Sequence, residues 1–97
     1  MSRSLIERRL REVSDHLREL RRELTVAEEQ LAHLSDTADD ARLRSLVSET
    51  PLAEREHRDA QRHAEAMARH RGEVEGEIER LERRQDELLD RLSVDGG

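Results

Sequence analysis

The sequence has no cysteine, tryptophan, tyrosine or phenylalanine, only one proline, and four glycines. Each absence excludes something. Without cysteine there are no disulfides, thiolate metal sites or cysteine nucleophiles. Without aromatics the chain cannot fill a thick globular core, because these side chains supply much of the buried area in such cores. No run approaches the roughly 18 apolar residues that a membrane span needs, and the opening Met1-Ser-Arg-Ser-Leu-Ile-Glu-Arg-Arg has no apolar signal region. The expectation is therefore a cytoplasmic protein without membrane contact. Lysine and asparagine are also missing, so all 18 basic residues are arginine. A GC-rich genome explains this more simply than selection for phosphate binding, because the arginines lie among 24 acidic residues and the net charge is −6. A non-specific nucleic-acid binder needs an uninterrupted basic stripe. Direct nucleic-acid binding is not expected.

Hydrophobic residues make up 33% of the chain and charged residues 43%. That composition suits two states, disorder or long helices joined along a narrow apolar seam. Periodicity decides for helices. Ile6, Leu10, Val13, Leu17, Leu20, Leu24, Ala27, Leu31 and Leu34 recur at alternating steps of four and three. This is a heptad stripe, with seam positions a and d, as a coiled coil requires. Ser4, with Glu7 three residues on, reads as a capping box at the helix start.

The stretch Ser35-Asp-Thr-Ala-Asp-Asp40 weakens the helix, because Asp, Ser and Thr compete for backbone hydrogen bonds. The seam nevertheless continues through Ala38, Ala41, Ser45 and Ser48, which favours a kinked continuation over a reversal at 36–40. Ser48-Glu-Thr-Pro51 is the firm boundary, with Thr50 as N-cap and Pro51 opening the last helix. A second seam follows: Ala53, His57, Ala60, Ala64, Met67, Arg71, Val74, Ile78, Leu81, Gln85, Leu88 and Leu92.

The predicted fold is all-α: one helical domain over 1–97, built as an antiparallel coiled-coil hairpin. It has a helix over 4–35, a kinked or short helical segment over 37–48, a helix over 51–92 and a frayed tail over 93–97. Pairing sums near 98 set Leu10 against Leu88, Leu17 against Leu81, Leu24 against Val74 and Leu31 against Met67. A hairpin this thin is expected to self-associate as a homodimer, with a four-helix bundle as one form of it.

Few residues suggest chemistry. A catalytic carboxylate needs a low-dielectric pocket, and a two-helix seam offers none. Acids four residues before a base, such as Glu7 and Arg11 or Glu54 and Arg58, read as helix-surface pairs. The histidines are His16, His33, His57, His63 and His70, and no two are spaced four apart as in an HxxxH metal site. His63, Met67 and His70 share one face, but pairing with nearby acids is the plainer account. No catalytic residue, cofactor or metal is expected. Gly72 and Gly76 either permit close helix contact or mark a flexible point. His57, Arg71 and Gln85 occupy seam positions. They either snorkel to solvent or fix register and oligomeric state at some cost in stability. Leu43, Leu46, Val47 and Leu52 fall off the seam and are expected to form one apolar patch around the turn. They are local packing, a dimer contact or a docking surface for a partner protein.

The lysine-free, Arg/Glu/Ala/Leu-rich style of stretches such as Leu52-Ala-Glu-Arg-Glu-His57 and Arg84-Gln-Asp-Glu-Leu-Leu89 resembles small actinobacterial coiled-coil proteins of uncharacterised function. That resemblance implies a cytoplasmic bacterial protein without enzymatic activity. Transcript-cleavage factors are similar in having a helical hairpin with acids near the turn, a role for Asp36, Asp39 and Asp40 if the chain reversed there. Those factors also have a globular C-terminal domain, which has no counterpart here. Small all-helical chorismate mutases are similar in size, but their cationic sites include a lysine. The expected function is a non-enzymatic interaction protein that docks onto a partner protein. The alternative is a hairpin-type transcription factor acting on RNA polymerase.

Overall fold

The computed structural model describes residues 2–96, and the side-chain surroundings of residues 2–94. It is an antiparallel helical hairpin: α1 spans Arg3–Ser48 and α2 spans Pro51–Gly96. No strand occurs among the described residues, and no described helix is long and apolar enough to cross a membrane.

Local chemistry sets the boundaries. Thr50 caps α2: its Oγ1 accepts the Ala53 N–H at 3.1 Å, and Pro51 takes the first helical position. Glu49, between the helices, has φ of 49°. This left-handed conformation lets the chain leave α1, and a non-glycine residue adopts it only at a cost. At the other end Ser2, not Ser4, is the cap. Its Oγ accepts the Leu5 N–H at 3.2 Å, while Glu7 pairs with Arg3 at 3.1 Å. The two serines offer the same hydroxyl, and capping from Ser2 adds helical residues at no chemical cost.

The polar stretch at 35–40 remains α-helix throughout, and the chain reverses only after Ser48. Thr37 Oγ1 donates to the His33 carbonyl at 3.0 Å, so its hydroxyl bonds back to the helix rather than breaking it. α2 likewise continues past Leu92 to Gly96. Leu92 is half-buried, and no proline follows to stop the helix. Gly97 lies outside the described residues.

Packing divides the chain into two compact units, one formed by residues up to Leu24 and from Val74, the other by Thr25–Glu73. In a two-helix hairpin each residue meets only its local counterparts, so no single central core unites the whole chain.

The terminal unit holds the large core. Ile6, Leu17, Leu20, Val74, Ile78 and Leu88 are buried. Leu17, Leu20, Val74 and Ile78 form one cluster, with Val13, Leu24 and Leu81 packed against it. Leu17, Leu24, Val74 and Leu81, expected to pair across the helices, thus belong to one cluster.

The turn unit is built differently. Its buried apolar residues are Ala27, Ala38, Ala41 and Ala53, while Leu31, Leu34 and Met67 are only half-buried. One buried methyl or methylene contributes about 0.8 kcal/mol, against roughly 1.5–3 for a whole buried leucine or isoleucine side chain. The turn unit thus gains much less from its own burial than the terminal unit does.

Candidate functional site

The two lateral faces of the hairpin follow from the heptad. Seam positions are a and d. On an antiparallel pair, positions e and b of both helices share one side, positions g and c share the other, and f points directly away from the partner helix. In the terminal unit Arg21 pairs with Glu82 at 3.5 Å, both e positions. His16 meets Glu77 at 3.6 Å, both g positions. In the turn unit an open groove of ≈ 380 Å³ is lined by Ser35, Asp39, Gln61 and Glu65, all e or b residues, around Ala38 and Ala64. On the opposite side a groove of ≈ 320 Å³ is lined by Thr37, Arg44, Glu56, Asp59 and His63, all g or c residues.

The three polar seam residues fare differently. Gln85 is half-buried, and its Nε2 donates to Ser14 Oγ at 3.2 Å on the opposite helix. Its amide is therefore directed across the helix pair rather than into solvent. His57 and Arg71 in the turn unit are also half-buried. His57 lines an open groove with Arg58, Gln61 and Glu65.

The turn residues are exposed: Leu43 by 62%, Leu46 by 63%, Val47 by 85% and Leu52 by 62%. They do not form the single patch around the turn that their closeness in sequence suggested. Leu46 is a b residue on one lateral face. Val47 and Leu52 are c residues on the other, and Leu43 is at f. The reason is angular: successive helical residues are about 100° apart, so Leu46 and Val47 point to different sides despite being neighbours. Leu43, Leu46 and Val47 still make one continuous arc on the outer surface of α1, at i, i+3 and i+4.

Sequence reading missed the apolar residues that stand among charged ones on the g/c face of the turn unit. A groove of ≈ 480 Å³ lies there, lined by Glu29, Gln30, His33, Leu34 and Met67. Val26, a c residue half-exposed at 50%, shares this face with Val47 and Leu52. The heptad letter of Val26 was the available signal.

Asp36, Asp39 and Asp40 are exposed within α1, several turns before the reversal. They do not stand at the hairpin turn, where the likeness to transcript-cleavage factors would have put them. Among the described residues no group of three or more His, Asp or Glu is placed to hold a metal ion. Intrahelical ion pairs such as Arg62–Asp59 at 2.6 Å and Arg84–Glu87 at 3.3 Å join largely exposed side chains. Pairs of this kind are worth little to stability.

These features define a class of structure, a two-helix antiparallel hairpin with apolar side chains displayed around its turn. The chain matches no protein-family model, no curated protein and no solved structure.

Proposed function

We propose that this chain is a non-enzymatic interaction protein, a helical hairpin that docks onto a partner protein through the last turns of α1. The supporting observation is the exposure of Leu43, Leu46 and Val47 on the outer arc of a helix, in a chain poor in large apolar residues. Seam packing does not use them. Apolar side chains gathered on a surface mark contact sites, and anchors at i, i+3 and i+4 are a common way for a helix to enter a groove on another protein. The core of the terminal unit holds the hairpin together without them.

The test is the triple variant Leu43→Ser, Leu46→Ser, Val47→Ser beside the unaltered chain, each immobilised and exposed to lysate of the source organism. The variant is expected to keep its helicity and thermal midpoint and to lose the proteins that the unaltered chain captures specifically. Unfolding of the variant would make these residues structural. Capture of the same proteins by both chains would put the contact elsewhere. RNA polymerase subunits among the lost proteins would assign the hairpin to transcription.

A further inference from the structure

We infer that the g/c face of the turn unit is covered by a second copy of this chain, in a two-fold dimer whose axis runs parallel to the helices and whose turns lie at the same end. This goes beyond partner docking and uses a neighbouring face that shares only Val47 with the docking arc. Leu43 and Leu46 stay outside it.

The turn unit needs cover on this side. Its buried apolar residues are four alanines, while Leu34 and Met67 line an open groove and Val26, Val47 and Leu52 are exposed beside it. The face has the size for a dimer. Its helical segments of about two dozen residues are roughly 35 Å long, and two helices side by side are roughly 20 Å wide, about 700 Å² per copy. Stable interfaces bury about 800 Å² per partner.

Two pairs of residues on this face are self-complementary. The chain reverses between Ser48 and Pro51, so residues whose numbers sum to about 99 lie at the same height in the hairpin. A two-fold axis parallel to the helices carries α1 of one copy over α2 of the other at that same height. Val47 then faces Leu52 of the second copy, and Arg44 faces its Glu56. Arg44 and Glu56 line this face in the single chain. Asp40 and Asp59 also meet at one height, but Asp59 is held by Arg62 at 2.6 Å. Leu34 and Met67 lie inward of these pairs and would be enclosed as the core of a four-helix bundle.

Two experiments test this with the full chain. In sedimentation at micromolar concentration the unaltered protein should be a dimer. Val26→Ser with Leu52→Ser should weaken it about a hundredfold with helicity retained. Leu43→Ser with Leu46→Ser, equally apolar changes off this face, should leave it dimeric while losing the docking partner. A monomer throughout overturns the inference without touching the docking proposal; equal weakening by both pairs overturns the inference and also makes Leu43 and Leu46 dimer contacts rather than partner anchors.

The second experiment separates pairing between copies from pairing within one. Arg44→Glu alone and Glu56→Arg alone should each weaken the homodimer about tenfold, because each brings two like-charge contacts together. Mixing the two variants should restore dimer, since each copy's position 44 then faces an opposite charge at position 56 of the other. A mixture no more dimeric than its components overturns the parallel two-fold arrangement.

Discussion

Gln85 Nε2 donates a hydrogen bond to Ser14 Oγ across the helix pair at 3.2 Å, joining a polar seam position of α2 to a flanking position of α1. The numbers sum to 99, in line with the pairing that brings Leu17 and Leu81 into one cluster. A sliding of one helix by a heptad would break this bond and leave a half-buried amide without its partner, which costs free energy. Such a bond is what a register-fixing role for Gln85 would require.

Gln85→Leu should therefore raise stability and loosen alignment. Added apolar burial beside Leu81 and Leu88 should contribute about 1 kcal/mol by chemical denaturation. Distances between labels on the two helices of the terminal unit should broaden at the same time. Lower stability with unchanged distances would assign Gln85 to stability rather than to register.

The turn offers a pair of opposite changes. Glu49 adopts φ of 49°, where glycine avoids a penalty of roughly 1–2 kcal/mol but loses part of that gain to backbone entropy. Glu49→Gly should stabilise by about 0.5–1 kcal/mol. Thr50→Ala removes the cap on Ala53 and should cost about 1 kcal/mol. Urea denaturation of both variants checks the signs.

Gly72 is not there for close packing. A Cβ built on it meets nothing within 4 Å. Gly72→Ala should then stabilise α2 by the helix-propensity difference, about 0.8–1 kcal/mol. Destabilisation, read by thermal melting, would show that the glycine accommodates a neighbour on the e/b face that the single chain lacks.

Much of the fold was legible because the heptad is strict. The seam residues from Ile6 to Ser45 and from Ala53 to Leu92 are all shielded at least in part, polar His57, Arg71 and Gln85 included. Ser48 is the exception and is exposed, because the seam ends where α1 does. The N-cap was misplaced because Ser2 and Ser4 are chemically equivalent and only geometry separates them. The 35–40 segment stays helical because its seam residue Ala38 is buried against α2, a tertiary contribution that the segment's polar composition does not reveal. The turn residues were read as one patch because closeness in sequence was taken for closeness in space. Their heptad letters already divided Leu46 from Val47 and placed Val26 with the latter.

The most direct test of the hairpin is one distance within one chain. The sequence has no cysteine, so Arg11→Cys with Asp86→Cys gives two unique label sites at exposed positions on the same lateral face. Spin-labelled protein diluted into unlabelled chains should show a single narrow distance of roughly 20 Å, an interaxial spacing of 8–10 Å plus the label arms. A distance several times longer in folded protein would mean that α1 and α2 of one chain are not paired with each other, and would contradict the hairpin.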